Sequence, residues 1–267
     1  MENIWVIIKE QILNFKMIFR IASYEKKASY DNSYLGLGWE IINPILQTYI
    51  LFIIFGTGLR AGRSVNFVPF FSWMIIGKTC WFYMNGCILS GINSIKNKLT
   101  IASKMKFPLS ILPTITMVRR LDSFFVMLIL SIIIARTSGI TPSIYWLQFI
   151  YYFLCMVLFI FAVNIFTTTV TILIGDFEYL IVTIMRFAVF VSGVMIPLEE
   201  MTGRLGAVLR LNPFFYIING FRFTFLTATA FYSQPRNTLI FWSIVLFFGI
   251  TGSHLHLKYR HRLTDFI

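Results

Sequence analysis

The sequence predicts an all-α membrane protein: six transmembrane helices, an interfacial helix before them and a re-entrant hairpin before the last. Three observations carry this. Of 267 residues, 57% are hydrophobic and only 13% charged, with a mean hydropathy of +0.76, whereas soluble domains carry about 25% charged residues. Apolar runs of about 20 residues, enough to cross a bilayer, alternate with short polar or basic segments. Finally, the stretch 176–222 opens on Asp176 and Glu178, runs apolar to Leu198 with one charge at Arg186, and breaks at Pro197 and again at Asn212-Pro213. Its second apolar phase is too short and interrupted to cross, so 198–222 reads as a hairpin. Irregular backbone at membrane depth is tolerated only where it is buried in protein or lines a cavity.

The elements follow in order within one transmembrane domain spanning 1–267. Over residues 1–30, Ile4, Ile8, Ile12, Phe15, Phe19 and Ala22 recur at steps of three and four, with Lys9, Glu10, Asn14, Lys16 and Arg20 on other faces. That is an amphipathic helix suited to the membrane interface. A cleavable signal peptide is not expected, because Glu2 and Glu10 sit where a basic region should be. The first span covers about 41–59 and opens on Asn43-Pro44, since Pro suits a first turn. The second covers 67–92, with Lys78 inside it. A polar, basic segment, 93–106, follows. The third span covers 107–135, with Arg119, Arg120 and Asp122 in its first half. The fourth covers 144–174, the fifth 179–198 and the last 238–257.

Charge sets the orientation. The net charge is +12, and in a membrane protein excess Lys and Arg mark cytoplasmic loops rather than a nucleic-acid partner. With the N-terminus inside and six crossings, twelve basic residues of the loops and termini fall inside and six outside. A seventh crossing through the hairpin would put the basic tail outside. Both termini are therefore expected in the cytoplasm, with Trp146 and Trp242 near the outer boundary.

Motifs exclude more than they identify. No G-x-x-x-x-G-K-[ST] loop, H-E-x-x-H or G-x-S-x-G is present, so neither catalytic residues nor a cofactor is expected in this chain. His254 and His256 are two residues apart on a helix and point to different faces, which argues against a metal site. Cys80, Cys87 and Cys155 are odd in number and lie in apolar segments, where they read as small buried side chains. The near absence of acids in the spans weakens a proton-coupled transporter. Lys78, Arg119, Arg120 and Arg186 remain as intramembrane cations, each a functional hypothesis by default. The competing reading is snorkelling or a salt bridge, such as Arg119 or Arg120 with Asp122. Tyr49, Phe52 and Phe55 step by three along the first span, as do Phe187 and Phe190 on the fifth. Such stripes serve as packing or lipid-facing residues, or as a surface on which sugar rings slide.

The order of these features resembles a known family. Tyr34-Leu35-Gly36-Leu37-Gly38-Trp39 precedes Asn43-Pro44, Phe107-Pro108-Leu109 with Leu112-Pro113 opens the third segment, and Asn212-Pro213-Phe214 through Arg222 ends the hairpin. The chain resembles, over essentially its whole length, the ABC-2 type permeases that export polysaccharides in prokaryotes. Within them it looks most like the teichoic acid translocation permease of Gram-positive bacteria, with O-antigen and capsule exporters as the alternative. The resemblance implies the ABC-2 exporter fold in the bacterial cytoplasmic membrane. It also implies a homodimer with two P-loop ATPase subunits that carry ATP and Mg, and a lipid-linked teichoic acid or polysaccharide as cargo. A coupling helix is implied at 93–106, with Ser94, Lys96, Lys98, Ser103, Lys104 and Lys106 facing the ATPase. The second ATPase contact falls on Asp176 and Glu178. Where the family often has an Arg-Asp pair this chain has Gly175-Asp176, so any contact that depends on that Arg is in doubt. On this reading Lys78, Arg119, Arg120 and Arg186 would meet phosphate, and Tyr49, Phe52, Phe55, Phe187 and Phe190 would line the path. From other classes, a membrane-embedded enzyme would need a carboxylate or His constellation that the sequence lacks, and a channel would leave the basic 93–106 segment unexplained.

Overall fold

The computed structural model describes residues 2–31, 33–58, 62, 64, 65, 67–98 and 108–260. Eleven α-helices organise them: α1 (Glu2–Leu13), α2 (Phe15–Tyr30), α3 (Trp39–Leu51), α4 (Phe70–Ile92), α5 (Leu112–Arg119), α6 (Leu121–Thr137), α7 (Phe149–Leu173), α8 (Phe177–Val191), α9 (Gly203–Leu209), α10 (Pro213–Arg222) and α11 (Pro235–Tyr259). A two-stranded hairpin, β1 (Ser64–Val65) with β2 (Val68–Pro69), leads into α4. Among the described residues three helices are long and apolar enough to cross a membrane: Gly36–Phe55, Ile144–Leu173 and Pro235–Tyr259. The other expected spans coincide with α4, with the α5–α6 pair and with α8, which has only 15 residues.

Helix α4 is the centre of the core. Its buried residues lie all around its circumference, as in a helix enclosed by others, and it packs on α5, α6, α7 and α10. Three of its glycines admit a polar side chain from a neighbour. A Cβ on Gly77 would lie 2.4 Å from Arg222 Nη2, one on Gly86 2.8 Å from Arg120 Nη1, and one on Gly91 2.5 Å from Asn164 Oδ1. Small residues permit such close approach in membrane helices. Hydrogen bonds complete the α4–α7 contact: Asn164 Nδ2 donates to the Cys87 carbonyl at 3.3 Å and Thr168 Oγ1 to that of Gly91 at 2.9 Å. Cys80, Cys87 and Cys155 are buried and unpaired. Helices α7 and α11 lie against each other along much of their length, and Gly252 seats on the Phe166 backbone.

Four expectations need correction. The N-terminal segment is two helices, not one. The chain breaks at Asn14, whose side-chain amide donates to the Glu10 carbonyl at 2.8 Å. The buried face is also not the expected stripe: Ile7, Ile18 and Ala22 are buried while Ile12, Phe15 and Phe19 are exposed. α1 packs on α11 and α2 on α5. Glu10 secures α1 by pairing with Arg260 and accepting from Ser110. Second, α3 begins at Trp39 through a short Gly36–Gly38 turn, which leaves Pro44 inside the helix rather than at its opening. Third, the predicted single span over 107–135 is interrupted at Arg120, whose φ of −93° and ψ of −3° end α5. The Arg120 side chain runs into the Gly86 notch, and its Nε donates to Ser90 Oγ at 3.3 Å. Fourth, Asp122 pairs with Lys26 of α2, not with Arg119 or Arg120, because the break turns Arg120 toward α4.

Candidate functional site

The break at Arg120 creates a polar cavity of about 230 Å³. The end of α2 supplies Lys26 and Tyr30, the start of α3 supplies Trp39, Glu40 and Asn43, and the break supplies Arg119 and Arg120. The Glu40 carboxylate accepts from the Ser123 hydroxyl and faces the Tyr30 phenol. Burial first, then the Glu40 carboxylate, raise the Tyr30 phenol above its ordinary value. Arg119 is half-buried and makes no hydrogen bond or ion pair among the described residues. Lys26, Arg119 and Arg120 thus share this wall with one carboxylate, Glu40, while Lys26 also pairs with Asp122. Arg119 and Arg120 therefore come together, with Lys26 added, a residue that sequence reasoning placed only among cytoplasmic charges.

The other expected path residues are not brought to this place. Tyr49 and Phe52 line a groove of about 440 Å³ with Phe71, Ser72 and Ser138. Phe55 departs from their stripe: from Phe52 the helix winds as a π-helix, and Phe55 instead packs on Phe70 with ring centroids 6.1 Å apart. Spacing by three aligns residues only while α-geometry lasts. Phe187 lines a separate apolar groove of about 640 Å³ beside Phe177, Phe214 and Phe248. Arg186 and Phe190 are exposed on α8, where only Met185 and Ala188 are buried. Lys78 is half-buried on α4.

The expected coupling residues split. Glu178 Oε1 accepts from Asn93 Nδ2 at 2.5 Å, which joins the turn after α4 to the first turn of α8. Lys98 pairs with Glu25 of α2 at 2.5 Å. Lys96 and Asp176 are exposed. Ser94 is buried, so its hydroxyl is turned from any partner surface. Ser103, Lys104 and Lys106 lie outside the described residues.

Sequence reasoning did not single out Arg222, although it ends the hairpin motif. It is buried at 1% exposure. Its Nε donates to the Trp73 carbonyl at 3.1 Å and its Nη2 to that of Val194 at 3.2 Å, and its Cζ lies 3.4 Å from the Trp73 ring centroid. Asn212 starts α10 by accepting from the Phe214 amide at 3.0 Å. The residues of α10 from Phe215 to Arg222 are all buried. His254 and His256 do face different partners, Asn3 and Thr169, and no metal-holding cluster occurs among the described residues.

A model of the ABC-2 type transporter family matches residues 17–226. The chain belongs to the ABC-2 type transporter family. Two curated relatives extend the likeness beyond that match. The O-antigen export system permease protein RfbA of Myxococcus xanthus is 23% identical over 238 residues, covering 88% of this chain and 90% of that protein. Its namesake in Klebsiella pneumoniae is 22% identical over 254 residues, covering 95% of each. This ABC-2 chain is a membrane transport subunit, not itself catalytic.

Proposed function

We propose that this chain is the membrane subunit of an ATP-driven exporter that moves a lipid-linked polysaccharide of the O-antigen class outward across the bacterial cytoplasmic membrane. The observation that carries the reading is the near end-to-end likeness to two O-antigen export permeases. These relatives favour the O-antigen alternative over the teichoic acid expected from sequence. In this reading the chain crosses the membrane six times, with both termini in the cytoplasm and the 198–222 hairpin entering from outside. Two copies form the path and two P-loop ATPase subunits, which bring ATP and Mg, dock beneath it.

The ATPase would be felt through 93–106 and through Asp176 and Glu178. The Asn93–Glu178 hydrogen bond supports this, because a push on one surface is then shared with the other. Nucleotide can shift such an assembly only by binding its two conformations unequally. Exposed Tyr49 and Phe52 on α3, and Phe187 and Phe190 on α8 with Arg186, would face the path or the second copy.

The test is gentle solubilisation of a tagged chain from its native membrane, followed by reconstitution with whatever co-purifies. A P-loop ATPase in about equal amount, with ATP-dependent outward movement of a lipid-linked polysaccharide, is expected. A chain that emerges alone with nucleotide present, or transport that proceeds without ATP, would overturn the reading.

A further inference from the structure

We propose that the outward face of α1 and α2 docks on anionic phospholipid headgroups, and that these two helices pass the charge of the bilayer on to the 93–106 segment. The second half rests on the export reading, in which 93–106 meets the ATPase; the first half does not.

The face is apolar and cationic at once. Trp5, Ile12, Leu13, Phe15 and Phe19 are exposed on it. Among them stand Lys9, Lys16, Arg20 and Lys27, all exposed. None of the four makes a hydrogen bond or ion pair among the described residues. Lys16, Arg20 and Lys27 follow one another at steps of four and seven, so they share one side of α2. The acids go the other way. Glu10 turns inward to Arg260 and Ser110, and Glu25 to Lys98. Among the described side chains of residues 2–31, Asp31 at the end of α2 is the one exposed acid. The helices thus spend their negative charge on the body of the protein and keep four positive charges outside.

A fitting partner offers apolar depth and negative charge together along both helices. These have 12 and 16 residues, roughly 40 Å in sum. A bilayer with anionic lipid supplies both. Apolar side chains enter the acyl boundary, while Lys and Arg reach back to the headgroups. An acidic protein surface answers the cations but not Trp5, Ile12 and Leu13. Each cation at an anionic membrane surface tightens binding about fivefold.

The same helices grip 93–106 from two sides. Within it, Lys98 pairs with Glu25. Just beyond it, Ser110 donates to Glu10, Gln11 Nε2 donates to the Ser110 carbonyl at 3.1 Å, and Thr114 donates to Gln11 Oε1 at 2.8 Å. A pull on α1 and α2 by the membrane surface therefore reaches the segment at both ends.

The first experiment titrates the full chain in mild detergent with dioctanoyl phosphatidylglycerol or dioctanoyl phosphatidylcholine and counts bound lipid by native mass spectrometry. It needs no ATPase, so its failure is separate from a failure of export. Phosphatidylglycerol should bind about tenfold more tightly or better, and less so as salt rises. The triple variant Lys16→Gln, Arg20→Gln, Lys27→Gln should lose that preference. Replacing exposed Arg136, Arg204 and Arg236 by Gln removes the same charge elsewhere and should keep it. A preference that survives the first triple variant, or that both variants lose alike, overturns the docking face. So does loss of a co-purifying ATPase from the first variant with its lipid preference intact, which would make the stripe a protein contact. The second experiment reads ATP turnover of the reconstituted complex in phosphatidylcholine nanodiscs with and without phosphatidylglycerol. Turnover should change severalfold with the anionic lipid, and less in Glu25→Gln. Turnover indifferent to headgroup charge, or equally responsive in Glu25→Gln, overturns the link to 93–106.

Discussion

Gly77→Ala in α4 is expected to destabilise the protein, and the cause is Arg222. On helix propensity alone Ala should gain about 1 kcal/mol over Gly, so any loss must come from the tertiary site. There the new Cβ would stand 2.4 Å from Arg222 Nη2 and 3.2 Å from both Arg222 Cζ and Ile218 Cγ2. The guanidinium cannot swing into water, because it is enclosed by Trp73, Val194 and α4. Displacing it breaks the bond to the Val194 carbonyl, about 1.5–3 kcal/mol for a charged donor, and overpacking adds about 1–3 kcal/mol. Set against the propensity gain, the net loss is about 2–5 kcal/mol. At roughly 2–4 °C per kcal/mol for chains of this size, the apparent melting temperature in detergent should drop by at least several degrees. A double-mutant cycle isolates the mechanism. Arg222→Met destabilises alone, because two buried carbonyls lose their donor, but in that background Gly77→Ala should add little. Additive effects of the two substitutions would refute the argument, and so would a Gly77→Ala protein as stable as the unaltered chain.

Asp122→Ala should cost less than about 1 kcal/mol, since the Asp122 side chain is 61% exposed and water screens its pair with Lys26; the same melting assay reads this. Tyr30→Phe should change the alkaline limb of stability. Burial and Glu40 favour the neutral phenol, so that contribution is whole below the ordinary phenol value of 10.0 and is lost as pH rises through the raised folded value. Unfolding followed from pH 8 to 11 should show a shallower decline in the Phe protein. Arg186→Ala should cut export in reconstituted vesicles severalfold while basal ATP hydrolysis by the complex stays near normal; unchanged export at equal expression would end its role in the path.

Much of the architecture was legible because it is local. Runs of apolar residues located α4, α7, α8 and α11, and Asn212-Pro213 announced the start of α10, where Asn212 caps and Pro213 opens the helix. The missed features are tertiary. Nothing near Asn14 or Arg120 breaks a helix by propensity. Arg120 leaves α-geometry where its side chain enters a notch on α4, and Asn14 lies where α1 turns to α11 and α2 to α5. The π-wound turn at Phe52 likewise has no mark in the residue pattern, so Phe55 left its stripe unannounced. Of the candidate site, the paired arginines could be read from their setting in an apolar run. Lys26, Tyr30 and Glu40 could not, because only packing of α2 and α3 brings them to the break.

The three glycine notches of α4 have a mechanical consequence. Arg222, Arg120 and Asn164 enter one shaft at three heights from three different neighbours, like keys in a spindle. To slide or turn, α4 would have to withdraw all three at once, and each withdrawal strands polar groups away from water. No such key holds α3 or α8, each with only two buried residues. Helix α4 is thus pinned by its neighbours at three heights, whereas α3 and α8, which carry the exposed aromatic faces, have no such pin.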